Sequence, residues 1–192
     1  MKTGDLILFK GKFSSWFLMN FFIELFTWSQ WVHVGIVIED PADLKGLYLW
    51  ESVYGTGVPD PEDHELKFGV QLSLLPARLK DCSVYIREYQ GLDFLVEELE
   101  IIHKQVHNKP YDIVPLDWIE ALVHVDLKPK KVNRFWCSAL VGYILTKLHV
   151  LHDIDWSILS PKYFANFSNN NYGPLCHLTT GTSPCHASGG VA

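Results

Sequence analysis

The sequence predicts an α+β fold, and three observations carry that prediction. Four short segments rich in β-branched, aromatic or leucine residues lie at 5–9, 32–38, 47–53 and 83–88. Helical apolar spacing dominates the second half, and strands do not alternate with helices as a parallel sheet requires. The expected architecture is a mainly antiparallel sheet packed against helices.

Asp5 to Phe9 opens the series as a compact apolar strand. The next segment, from Ser14 through Trp28, is too long for one strand, and Trp16, Phe17, Phe21, Phe22 and Trp28 spread around the helical circumference. It is expected to be a buried helix, or one whose face meets an apolar surface. Segments 32–38 and 47–53 then read as a hairpin across 39–46. Leu92, Leu95, Leu99, Ile102 and Val106 recur at spacings of three and four, with Glu97, Glu98, Glu100 and Lys104 on other faces. That is an amphipathic helix, ending at Pro110, with a short helical stretch following at 115–123. Cys137, Leu140, Val141, Ile144 and Leu148 make the stripe of another, with Asn133 upstream as an available N-cap. Ser160-Pro161 matches the N-cap and first-turn proline of a last short helix.

The 192 residues fit one domain with a tail: a domain over 1–167 and a flexible tail over 168–192. In that tail 15 of 25 residues are Gly, Pro, Ser, Thr or Asn, too little apolar surface to offset ordering. With 48% apolar and 20% charged residues the chain can bury a substantial core. The net charge of −6 gives no general drive toward nucleic acid, so no nucleic-acid partner is expected. Four cysteines without a dense spacing indicate no disulfide framework and a reducing compartment. No run is long and apolar enough to span a bilayer, because Asn20, Glu24 and Gln30 interrupt the best stretch. Lys10 and Lys12 precede that stretch, but no small-residue cleavage site follows it. The expected location is cytoplasmic, with peripheral membrane contact through 14–28 left open.

Three residues stand out chemically. In a strand, His33, Gly35 and Val37 share one face, so an imidazole lies beside a missing side chain, where a ligand or backbone can approach. Taken alone, His33 reads first as a core histidine bonded to a carbonyl. The symmetric hairpin register sets Glu51 opposite His33, where a carboxylate fixes the tautomer of the ring and raises its basicity. Glu51 could instead face solvent at a sheet edge. Cys137 begins a helix, whose positive end stabilises thiolate and whose free N–H groups can hold an oxyanion, although a helix-start cysteine is often merely a small core residue. Together the three supply nucleophile, base and orienting group.

Gly4-Asp5-Leu6-Ile7-Leu8, His33-Val34-Gly35-Ile36-Val37, Pro110-Tyr111-Asp112 and Phe135-Trp136-Cys137-Ser138-Ala139-Leu140-Val141 resemble the circularly permuted NlpC-type papain-like proteins. The likeness is strongest to the YiiX-like branch, with poxvirus members and the lecithin retinol acyltransferase group as wider relatives. It extends over 4–164 and implies a permuted papain-like fold in which the His strand precedes the Cys helix. It also implies Cys137 as nucleophile, His33 as base and Glu51 as third polar residue, with Ser52 adjacent to that variable position. The Cys137 backbone N–H serves the oxyanion. Asp5 and Gly35 join Ser52 as supporting residues, and Ala139 stands where many relatives carry Glu. The implied activity is that of a cysteine hydrolase or acyltransferase, an amidase, thiol protease or lipid acyl hydrolase, working through a thioacyl-enzyme and needing no cofactor. Its substrate would be a small-molecule, lipid or peptide acyl compound, and the aromatic residues of 14–28 favour a lipid.

Other readings compete. A catalytically silent scaffold binding lipid or protein is the alternative, since fold does not fix function. His103 and His107 have the i, i+4 spacing of metal ligands but no third ligand is evident, so a solvated helix edge is expected. Cys176-His177 and Cys185-His186 offer four ligand types at a spacing unlike common zinc modules, and no metal is assigned. Cys82 has neither helix dipole nor base and is expected to be inert.

Overall fold

The computed structural model describes residues 1–11, 29–41, 44–55, 57–80, 82–112 and 132–178. The expected helices over 14–28 and 115–123, and the Cys185-His186 pair, lie outside these residues. Six strands form one sheet: β1 (Leu6–Lys10), β2 (Trp31–Glu39), β3 (Leu47–Tyr54), β4 (Phe68–Leu74), β5 (Val84–Tyr89) and β6 (Tyr172–His177). Their order is β4-β3-β2-β1-β5-β6 and every pairing is antiparallel. The helices among the described residues are α1 (Leu75–Leu79), α2 (Val96–Val106), α3 (Cys137–Lys147) and α4 (Pro161–Asn166), with a 3₁₀ turn at Trp156–Ile158. The α+β reading holds. No helix among the described residues is long and apolar enough to cross a membrane.

Leu6, Ile7 and Leu8 are all completely buried because β1 lies inside the sheet and is covered on both faces. On one face Leu6, Leu8, Val34, Ile36, Trp50 and Leu72 pack with Leu140, Val141 and Ile144 of α3. The other face gathers Ile7, Phe9, Val37, Leu49 and Ile86 around Leu75 of α1. Burying a leucine such as Leu140 contributes about 1.5–3 kcal/mol, which is why α3 is apolar on nearly every side: Cys137 through Leu145 are all buried.

The sequence missed two strands. β4 alternates Val70 and Leu72 on the core face with Gln71 and Ser73 on the other, and those polar residues disguise a strand buried on both sides. β6 overturns the expectation of a flexible tail from 168. It pairs with β5, and the buried Tyr172 hydroxyl donates to the Gly4 carbonyl at 2.9 Å, tying the segment to the start of β1. Its Pro174 is exposed on an edge strand, where the missing N–H costs nothing.

The hairpin register also differs. Ile36 faces Trp50 and Val37 faces Leu49, two residues away from the symmetric register, with Asp40 at φ 46° and Gly46 donating to its Oδ1 at 2.7 Å. A shift of two preserves parity, so His33 and Glu51 keep a common face. The paired stretch ends at Ile36 and Trp50. The first residues of β2 therefore pair with β1 alone, and an extra residue, Val32, bulges between His33 and Trp31.

Candidate active site

The break between β2 and β3 positions the thiol. In β2 the odd residues exchange hydrogen bonds with β1, as in Val37 N–H to the Asp5 carbonyl at 2.8 Å, so the even residues aim theirs toward β3. At Val34 β3 has diverged. The N–H that would be orphaned there points instead to Cys137, whose sulfur also accepts from the Ser138 N–H.

Cys137 is the first residue of α3, and its start is held from three sides. Ser138 Oγ donates to the Leu159 carbonyl at 2.6 Å, Trp136 Nε1 donates to the same carbonyl at 3.3 Å, and Ser52 Oγ donates to the Phe135 carbonyl at 2.6 Å. Asn133 does not cap this helix. The N-cap is Trp136, whose side chain makes no capping bond, so the first-turn N–H groups are left for the sulfur and its ligands.

His33 links the thiol to the carboxylate. Its Nε2 lies 2.5 Å from Glu51 Oε2, leaving Nδ1 for the hydrogen bond with Cys137. Burial pushes the imidazole toward neutrality, but the adjacent Cys137 and Glu51 outweigh it and raise the His33 pKa to about 9. Burial likewise opposes the thiolate, and the His33 charge together with the Val34 and Ser138 N–H groups reverses that, lowering the Cys137 pKa. Both shifts favour a thiolate–imidazolium pair.

Glu51 is fully buried and held by groups that sequence reading did not find. Arg78 of α1 donates through Nε to both carboxylate oxygens at 2.9 and 3.0 Å, and Ser73 Oγ donates to Oε1 at 2.7 Å. Gln71 Nε2 supports Ser73 at 2.6 Å and reaches the Val58 carbonyl at 3.2 Å. Burial alone would raise the Glu51 pKa, but the Arg78 charge and the His33 and Ser73 hydrogen bonds hold it down at about 2. Phe9 completes this side, its ring centroid 5.3 Å from His33 with the Arg78 guanidinium 4.4 Å above it. Tyr111 approaches from the other. Burial and the nearby Cys137 and Asp112 charges keep its hydroxyl protonated.

The supporting residues divide. Ser52 faces α3 and fixes Phe135, two residues ahead of the thiol; it does not touch His33. Gly35 is not open to a ligand, because a Cβ there would lie 2.8 Å from Leu49 Cγ, so the missing side chain accommodates Leu49. Asp5 is structural. It accepts from the Tyr89 and Lys2 N–H groups at 2.8 and 2.9 Å at the opposite end of β1.

Cys82 and Cys137 are free thiols, whereas Cys176 is disulfide-bonded, which withdraws it from any metal set. His103 and His107 do not form a merely solvated edge: His103 Nε2 and His107 Nδ1 each lie 3.1 Å from Glu62 Oε2. No family model and no curated protein matches the sequence.

Proposed function

We propose that the protein is a cysteine-dependent hydrolase or acyltransferase of permuted papain-like fold, acting on an amide, ester or thioester through a thioacyl-enzyme. One observation carries the reading: the Cys137 thiol, at an uncapped helix start, contacts the His33 imidazole, whose other nitrogen is 2.5 Å from the buried Glu51 carboxylate. The resemblance to YiiX-like NlpC-type proteins agrees in chain order, with the His strand ahead of the Cys helix.

The Cys137 thiolate attacks the acyl carbon, and the carbonyl electrons move to oxygen. The Cys137 N–H, which as the first in its helix has no intrahelical acceptor, faces that oxyanion, and the protonated Tyr111 hydroxyl is a second available donor. His33 passes its proton to the leaving amine or alkoxide as the tetrahedral centre collapses to the thioester. It then takes a proton from water or an acceptor alcohol or amine, which attacks the thioester and frees Cys137. Glu51 keeps Nδ1 aimed at sulfur and stabilises the imidazolium, and Arg78 keeps Glu51 ionised.

The test is acyl trapping. Para-nitrophenyl esters of short and long chain are mixed with the protein, and intact mass is followed with nitrophenolate release. A burst equal to the protein concentration, with one acyl group on Cys137 and neither in Cys137→Ala, supports the reading. A folded protein that neither bursts nor acquires mass would remove it.

A further inference from the structure

Apart from the thiol site, three ligand-type side chains converge on the α3 side of the sheet. Glu62 stands in the turn between β3 and β4, and His103 and His107 lie one helical turn apart at the C-terminal end of α2. Their ligand atoms, Glu62 Oε2, His103 Nε2 and His107 Nδ1, all lie within 4.8 Å of one another. The carboxylate oxygen is 3.1 Å from each ring nitrogen. Four ligands about 2.0–2.2 Å from a tetrahedral ion are roughly 3.3–3.6 Å apart, so the spacing about Oε2 nearly matches that of a bound ion.

Hydrogen bonding explains only half of the cluster. Glu62 accepts from His103, but His107 Nδ1 is buried and makes no hydrogen bond despite its 3.1 Å approach to the same oxygen. A solvent-shielded ring nitrogen held near a carboxylate without an aligned hydrogen bond is under-satisfied unless something else occupies its lone pair. A cation resolves this, because neutral imidazole presents that lone pair to a metal.

The surroundings suit a cation. The carbonyl end of α2 carries the negative pole of the helix dipole, and His107 is its C-cap. Lys67, whose charge reaches Glu62, is engaged by Asp60 at 2.8 Å and Asp63 at 2.7 Å. His103 is steadied by the Trp50 ring, with centroids 5.4 Å apart, and α2 is pinned to α3 where the Tyr143 hydroxyl donates to Gln105 Oε1 at 2.9 Å. The three side chains are each 23–32% exposed, so an ion can enter and a water can complete its shell.

We propose that Glu62, His103 and His107 form a binding site for a borderline divalent transition-metal ion, zinc being the best match to two imidazoles and one carboxylate, and that the ion clamps the Pro61–Asp63 turn to the end of α2. Thus the site is separate from the proposed nucleophile and supplies no group to it.

The experiment uses the full chain carrying Cys137→Ala, so that no thiolate at the active site competes. Zinc chloride is titrated calorimetrically, and cobalt(II) is titrated in parallel with its visible spectrum recorded. We expect one zinc per chain, a tetrahedral-type cobalt spectrum without a thiolate charge-transfer band, and a zinc-induced rise in Tm. His103→Ala and His107→Ala should each weaken zinc by more than the roughly 10–100-fold lost with a ligand's mere hydrogen-bond partner, and should abolish the Tm rise. Glu62→Gln, in a turn outside the core, gives the same comparison should a histidine variant fail to fold. Unchanged zinc affinity in Glu62→Gln and in the folded histidine variants, a thiolate band in the cobalt spectrum, or no zinc bound by the folded parent overturns the proposal.

Discussion

Replacing Glu51 by Gln keeps shape and burial while removing the charge that Arg78, His33 and Ser73 surround. The folded-state pKa of Glu51 is about 2 against an ordinary value of 4.5. Depressed in the fold, the group adds stability that is fully present above pH 4.5 and is lost as pH falls toward 2. The full difference corresponds to about 3 kcal/mol, and somewhat under half of it is gone by roughly pH 3.5, where the unfolded chain has protonated and the folded one has not. Near pH 7 the variant should also bear the cost of a guanidinium left without its counter-charge. Breaking a buried pair costs about 3–5 kcal/mol, moderated here because Arg78 is 17% exposed. The assay is urea unfolding of parent and variant at several pH values from about 7 to 3.5. We expect the stability gap between them to narrow by about 1 kcal/mol over that range. A gap that stays constant or widens on acidification would refute the assignment of Glu51 as a buried carboxylate held ionised.

Further outcomes follow from the same geometry. Arg78→Met should lower stability by about 2–4 kcal/mol in urea unfolding and slow the alkylation of Cys137, because the buried Glu51 loses the charge that does most to keep it ionised; unchanged thiol reactivity in the folded variant would contradict this. Ser52→Ala should cost about 0.5–1.5 kcal/mol, measured by the same unfolding, because the buried Phe135 carbonyl loses its 2.6 Å bond from Ser52 but keeps the Asp112 N–H at 3.2 Å. Gly35→Ala should cost about 1–3 kcal/mol through the clash with Leu49, and a neutral result would show that Leu49 moves freely.

Legibility in the sequence depended on what each segment buries. β1, β2, β3 and β5 carry their own apolar signal and were found to within a residue or two at each end. β4 was hidden because Gln71 and Ser73 serve the Glu51 carboxylate instead of a hydrophobic layer. β6 was hidden because its order comes from the β5 ladder and from the bond between Tyr172 and Gly4, 168 residues away. His33, Glu51 and Cys137 were nameable from strand parity and a helix start, although the register was two residues off. Parity rescued the pairing. Arg78 sits in a five-residue helix whose one sequence signal is Leu75-Pro76 after an alternating segment. Glu62 gave no signal, since only the tertiary fold brings a turn residue to histidines 41 and 45 positions later.

The most direct measurement is the rate at which iodoacetamide alkylates Cys137 from about pH 5 to 10, followed by intact mass in the parent and in His33→Ala. His33, raised to about 9, stays protonated beside the thiolate across the lower part of this range, and its charge is lost as pH rises through that value. We expect rapid alkylation well below the pH at which an ordinary thiol ionises, and in His33→Ala a slower reaction whose midpoint moves up to or beyond that of an ordinary thiol. Slow alkylation of a folded parent, with the same pH dependence in His33→Ala, would contradict the claim that Cys137 is a poised nucleophile.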